Sequence, residues 1–216
     1  MIKGVIFDMD GVLVDNMAIH QEAFAKYCAQ YNITGLKEII DRCSGMGNAE
    51  IMREVFPPEV IEEKGIPTLA FEKEALYREI YAPVIKPIEG LKEFLKSLKA
   101  KGLKIAVGSS GCRLNVEFVL KACGIEEYFD ALVYEELVTK CKPDPEIYLT
   151  AISKLGLKAE ECIIFEDAKF GILAARAAKV SKVIGVATTL PAEILRTQTE
   201  VDEVINNYTE EVAALK

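Results

Sequence analysis

The sequence contains no tryptophan and a single histidine, His20. With one histidine, and with six cysteines, at positions 28, 43, 112, 123, 141 and 162, that form no CxxC pair, a zinc site is not expected. Scattered in this way they read as reduced thiols of a cytoplasmic protein rather than as a disulfide framework. Cationic residues are also in deficit. There are 26 Lys and Arg against 34 Asp and Glu, a net charge of −8. That balance argues against non-specific nucleic-acid binding, which needs a basic surface, yet it allows a local cationic pocket for phosphate. No apolar run approaches the roughly 20 residues that span a bilayer. The N-terminus enters a strand-like pattern at once, with no signal-peptide layout. The expectation is a cytoplasmic monomer with neither nucleic acid nor membrane as partner.

What is present is enough apolar sequence, half of 216 residues, for one sizeable core or for a core with a small insertion. Four short apolar runs read as buried strands: 2–7, 103–107, 162–165 and 182–186. Weaker ones lie at 131–134 and 201–205. Their Val and Ile content, without polar alternation, fits parallel strands covered on both faces. Helical spacing appears between them. Leu91, Phe94, Leu95 and Leu98 recur on one face, with Gly102 beyond them. Ile147, Tyr148, Ala151, Ile152 and Leu155 do the same, with Asp144 as the predicted N-cap, Pro145 at the first helical position and Gly156 past the end. Such alternation predicts a doubly wound, Rossmann-like α/β sheet. Residues 16–85, by contrast, carry only helical patterns, at 17–30, 36–42, 48–55 and 68–81, and Pro83 and Pro87 mark a return linker. The predicted organisation is an α/β core domain of residues 1–15 and 86–216 with an all-helical cap domain of residues 16–85 inserted after the first strand.

In an open parallel sheet the ligand site lies at the carboxyl ends of the strands. The first strand ends in "FDMDG", placing Asp8 and Asp10 one residue apart, so that something must offset their repulsion. The second is followed by Ser109, Ser110 and Gly111, the strand at 131–134 by "KCKPDP" with Lys142, and the strand at 162–165 by Glu166 and Asp167. Clustered carboxylates suit a hard, oxygen-seeking cation such as Mg2+. With the metal neutralising phosphoryl oxygens, one carboxylate can attack phosphorus, and a second can protonate the leaving oxygen and later activate water. A hydroxyl and a lysine can hold the equatorial oxygens as charge shifts.

These segments resemble the haloacid dehalogenase superfamily of phosphotransferases, in particular the β-phosphoglucomutase-like branch with a helical C1-type cap. "DMDGVLVD" matches that family's DxDGxxxD motif, "VGSS" its second motif, "KCKPDPEIY" its lysine motif and "FEDAKFG" its acidic motif, in order along nearly the whole chain. The resemblance implies Asp8 as nucleophile and Asp10 as general acid and base. It implies Mg2+ held by Asp8, the Asp10 backbone carbonyl and Asp167, with Glu166 assisting, and Ser109 and Lys142 on the phosphoryl group. Ser110, Gly111, Arg113, His20, Asn48 and Lys73 are the expected substrate-binding positions. His20 stands where the mutases have a histidine near the general acid, and reads equally as a structural histidine of an amphipathic helix. Lys73 aligns with a cap-helix lysine. Two positions depart from the mutases: Asn48 replaces an arginine that grips a second phosphate, and Cys112 replaces a lysine, with Arg113 adjacent. The expected function is therefore Mg2+-dependent phosphoryl transfer, foremost a phosphatase of small phosphorylated metabolites such as sugar phosphates. A sugar phosphomutase and a non-catalytic phosphometabolite-binding protein are the alternatives.

Overall fold

The computed structural model describes residues 1–34 and 47–215. The helical pattern read at 36–42, and Cys43, lie outside the described residues. The chain divides into two compact units, one of residues 1–15 and 85–216 and one of residues 16–84.

The first unit is built on six parallel strands: β1 (Gly4–Phe7), β2 (Lys104–Gly108), β3 (Ala131–Val133), β4 (Cys162–Glu166), β5 (Lys182–Val186) and β6 (Glu203–Ile205). Their order, β3-β2-β1-β4-β5-β6, puts β1 in the middle and reverses the direction of winding beside it. β1 and β4 pair in register, Val5 with Ile163, Ile6 with Ile164 and Phe7 with Phe165. Alternation of side chains then sorts the two faces. Phe7 and Phe165 stack at 4.9 Å between ring centroids on one face, joined there by Phe94, Phe129 and Tyr208. Ile6 and Ile164 face the other way, into a cluster with Ile147, Tyr148, Ala151 and Ile172. Tyr208 also donates to the Val12 carbonyl at 2.9 Å, and the Ile88 amide donates to Leu13 at 3.0 Å. The loop after β1 is thereby tied down at two points.

Helices of this unit are α5 (Leu91–Ala100), α6 (Arg113–Cys123), α7 (Glu146–Leu155), α8 (Lys169–Ala177) and the single turn α9 (Ala192–Leu195). The predicted apolar face of α5 is buried through Leu91, Leu95 and Leu98. α7 starts one residue later than the sequence predicts. Pro145 is its N-cap, yet the Asp144 carboxylate still accepts from the Glu146 amide at 3.0 Å, so the expected capping group is in use.

The second unit comprises α1 (Met17–Ala29), α2 (Asn48–Val55), α3 (Pro58–Lys64) and α4 (Ile66–Tyr81). Phe24, Tyr27, Cys28, Met52, Val55, Phe56 and Leu69 form its core. Tyr27 donates to Glu72 at 2.6 Å, and Lys64 pairs with the same carboxylate at 2.8 Å. Cys28, Cys112, Cys123, Cys141 and Cys162 form no disulfide. Among the described residues no helix is long and apolar enough to cross a membrane.

The sheet depends on the Phe7–Phe165 stack at its centre. Phe165→Ala removes a fully buried ring from five packed aromatics and should lower unfolding free energy by about 3–5 kcal/mol, measured by urea denaturation followed by far-UV circular dichroism.

Candidate active site

The carboxyl ends of β1, β2 and β4 and the segment after β3 bring Asp8, Asp10, Ser109, Lys142, Glu166 and Asp167 together. Asp8 directly follows β1, and its amide donates to Phe165 at 3.0 Å, which continues the ladder to the sheet edge. Its carboxylate Oδ1 accepts from Lys142 Nζ at 2.8 Å, and the same ammonium donates to Glu166 Oε1 at 2.7 Å. Lys142 and Asp8 are only 9% and 8% exposed. One cation therefore bridges the ends of two neighbouring strands.

Past Asp8 the chain turns tightly, with the Leu13 amide on the Met9 carbonyl at 2.8 Å and the Gly11 amide on Val14 at 2.8 Å. Gly11 has φ +74°, and a Cβ there would lie 1.9 Å from Asp167 Oδ2. Only glycine lets the turn come that close to the acid on β4's loop. Asp10 lies in this turn, with its carboxylate beside Gly111 of the loop after β2. In that loop Ser109 is buried, its amide donates to Val133 at 3.0 Å, and its Oγ accepts from the Gly111 amide at 2.9 Å. Ser110 is exposed.

Glu166 ends β4 almost fully buried. Its Oε2 accepts from the amides of Asp167 and Ala168 at 2.9 and 3.1 Å, and its Oε1 accepts from the Tyr148 hydroxyl at 2.6 Å as well as from Lys142. Gly171 on α8 leaves the space for it, since a Cβ there would fall 1.6 Å from Oε1. Asp167 follows, buried, with a hydrogen bond to Thr189 in the loop after β5.

Arg113 behaves differently from its neighbours in sequence. Its side chain is exposed and lies 3.8 Å from Glu117 on its own helix, while its amide is capped by Glu136 at 3.0 Å. His20, Asn48 and Lys73 belong to the second unit. His20 stacks on Tyr77 at 3.9 Å with the planes 7° apart. Asn16 donates to the Tyr77 hydroxyl at 2.6 Å. Lys73 is buried and ion-paired with Glu74. Asn48 is the first residue of α2.

The sequence reading did not single out Tyr148, Thr189, Gly11 or Gly171 for the site. Thr189 follows a predicted strand, so the rule that led to Asp8 and Ser109 reaches it too. Gly11 and Gly171 lie within the quoted motifs. Tyr148 closes the quoted lysine motif as well, but its spacing is that of one more apolar position of its helix, and that spacing does not mark its hydroxyl.

Oxygen atoms of Asp8, Glu166 and Asp167 lie within 4.8 Å of one another, and Asp167 Oδ1 is buried with no hydrogen-bond partner from the protein. When all are ionised, three carboxylates face one ammonium, leaving two negative charges in excess. Oxygen donors on Asp8 and Asp167, with that excess of charge and an orphaned buried oxygen, fit a hard divalent cation such as Mg2+, and Glu166 adds its charge. Without one, burial pushes the Asp8 carboxyl from its usual 3.8 up to about 7; Lys142 opposes this, and Glu166 and Asp10 add to it. Asp167 is likewise raised, by burial first and then by Glu166 and Asp8. For Lys142 burial disfavours the ammonium, but Asp8 and Glu166 more than offset it, so it stays charged.

A carboxyl whose pKa is raised by folding holds a proton that the unfolded chain has already released. Its stabilisation is complete below the unfolded value and is lost as pH rises through the folded one. In chelator, the Tm of the protein should therefore fall as pH rises from about 4 through about 7. Asp8→Asn should flatten that fall. Added Mg2+ competes with these protons and should raise Tm more at the alkaline end than at the acid end. Thermal melts across this range, with chelator and with Mg2+, measure all three effects.

Residues 5–186 match the haloacid dehalogenase-like hydrolase family. A phosphorylated carbohydrates phosphatase from Thermotoga maritima is 31% identical over 88% of this chain and 87% of its own. A β-phosphoglucomutase from Bacillus subtilis is 30% identical over 82% of this chain and 80% of its own. The crystal structure of a β-phosphoglucomutase from Clostridium difficile matches with a TM-score of 0.82 at 25% identity, covering 100% of this chain and 95% of that one. With a family match spanning most of the chain and relatives aligned over most of their length, the chain belongs to the haloacid dehalogenase-like hydrolase family.

Proposed function

We propose that this chain is a Mg2+-dependent phosphatase of small phosphorylated metabolites, sugar phosphates foremost, working through a phosphorylated Asp8. The observation that carries the reading is the buried Asp8–Lys142–Glu166 bridge beside the partnerless Asp167 oxygen. It is a nucleophile held by a cation, next to a place for a second cation.

Asp8 and Asp167, with the Asp10 backbone carbonyl, would hold the metal, and Glu166 adds its charge to the site. When bound, Mg2+ neutralises phosphoryl oxygens and shields them from the carboxylate that attacks. The Asp8 carboxylate attacks phosphorus, the bond from phosphorus to the ester oxygen breaks, and Asp10 gives that oxygen its proton. Water then attacks the phosphorus of the acyl phosphate and loses a proton to Asp10. The P–O bond to Asp8 breaks, and both the carboxylate and a free phosphate are released. Lys142 and Ser109 hold the equatorial oxygens in both steps.

The alternative of a sugar phosphomutase draws on the similarity to the Bacillus subtilis β-phosphoglucomutase and on the presence of His20 and Lys73. A mutase must retain a bisphosphate through a turn of the substrate, so it needs a strong anchor for the phosphate that is not reacting. Asn48 and Cys112 carry no positive charge, Arg113 is directed to Glu117, and Lys73 is paired with Glu74. The similarity to the Thermotoga maritima phosphatase points the same way. A non-catalytic binding protein would have no use for the nucleophile, which is intact.

Asp8→Asn keeps the shape of the side chain and removes its nucleophilic charge. p-Nitrophenyl phosphate hydrolysis in Mg2+ should drop by several orders of magnitude with the fold retained by circular dichroism; wild-type turnover in this variant would refute the mechanism. To separate phosphatase from mutase, β-glucose 1-phosphate is supplied with catalytic β-glucose 1,6-bisphosphate, and glucose 6-phosphate and free phosphate are followed together. Phosphate release from several monophosphates without isomerisation is expected. Isomerisation much faster than release would replace this reading with the mutase.

A further inference from the structure

We infer that Tyr148 is a positioning residue for the reaction proposed above, on which the inference rests: its hydroxyl and ring fix Glu166 and Lys142 so that the Lys142 ammonium stays on Asp8. Tyr148 is fully buried on α7, where its hydroxyl reaches Glu166 and its ring reaches Lys142. Its action runs through two neighbours. The hydroxyl donates to Glu166 Oε1 at 2.6 Å, the oxygen that Lys142 reaches at 2.7 Å. The Lys142 ammonium also lies 4.8 Å from the Tyr148 ring centroid, where the π face attracts a cation. Lysine has three donors on a freely turning head and four rotatable bonds behind it, so its position must be imposed from outside. Here two carboxylate oxygens and a ring define it.

The count of hydrogen bonds on Glu166 gives the arrangement its sense. An ionised carboxylate offers about four acceptor positions. Glu166 fills four: Lys142 and Tyr148 on Oε1, and the amides of Asp167 and Ala168 on Oε2. Gly171 presses against the same carboxylate. Nothing on Glu166 is left over for a coordinate bond, in contrast to Asp167 Oδ1, which is buried and has no protein partner. Glu166 thus serves as the fixed post to which Lys142 is tied, and Tyr148 locks the post.

Tyr148→Phe tests this, because it deletes the hydroxyl and keeps the ring. Three measurements are made beside wild type. In p-nitrophenyl phosphate hydrolysis, kcat should fall on the order of tenfold, the size of one charge-assisted hydrogen bond, with KM nearly unchanged. Mg2+ affinity by isothermal titration calorimetry should stay within about twofold of wild type, since all positions of Glu166 are already used by the protein. In metal-free protein, acetylation of Lys142 read by peptide mass spectrometry should become severalfold faster, while exposed Lys140 and Lys154 react as before. An unchanged kcat together with unchanged Lys142 labelling would overturn the inference. So would a loss of Mg2+ affinity in step with kcat, because Glu166 would then be a ligand, and so would faster labelling of all three lysines, because the variant would then be loosened as a whole. If wild type hydrolyses no phosphomonoester, the phosphatase reading fails, and the labelling result still decides whether Tyr148 holds Lys142.

Discussion

The placement of one buried ammonium sets the terms for the rest of the first unit. Lys142 Nζ sits between Asp8 at the end of β1 and Glu166 at the end of β4, nearly out of contact with water. An isolated charge in such a place is expensive, and so is a pair of carboxylates on adjoining strands. Each makes the other tolerable. The neighbouring features supply the remaining donors: backbone amides for Glu166, a tyrosine hydroxyl for its other oxygen, and a threonine for Asp167. Even so, the account does not close, since negative charge is left in excess and one Asp167 oxygen has no partner. That residue of dissatisfaction is what makes the site read as a place for phosphate and a divalent metal rather than as a structural salt bridge.

Reading the sequence went furthest where a local pattern has a single physical meaning. An apolar run that stops in "DMD" has to surface at a strand end. Four such ends in a parallel sheet share one edge, and the six strands are parallel, whereas their order, with β1 at the centre, comes from the structure alone. Strand and helix limits moved by a few residues, as at α7, where Asp144 caps the helix through its side chain with Pro145 interposed. α3 was not foreseen. It is a short helix between Pro57 and Gly65, and both neighbours look like loop punctuation.

The harder cases are residues whose type fits two environments. Tyr148 has the spacing of a core side chain and is one; its hydroxyl acquires a partner only because the first turn of α7 comes within reach of Glu166. Arg113 sits beside Cys112 in sequence, but the first turn of α6 carries its guanidinium out along the helix to Glu117. Lys73, expected at the substrate, is buried and ion-paired with Glu74 on its own helix. Side-chain direction and partner choice come from tertiary packing, which spacing alone does not encode.

The in-register pairing of Phe7 with Phe165 has a consequence for which kinds of genetic change the chain can absorb. Asp8 and Glu166 each sit one residue beyond that aromatic pair, so their meeting is counted off from it. Deleting or inserting one residue in either strand would move one acid about 3.3 Å along the sheet and turn it to the opposite face. Many exchanges of one apolar side chain for another would leave that count untouched. β1 and β4 should therefore tolerate exchange between apolar side chains of similar volume and be nearly closed to changes of length, so that drift in this part of the sequence preserves the spacing.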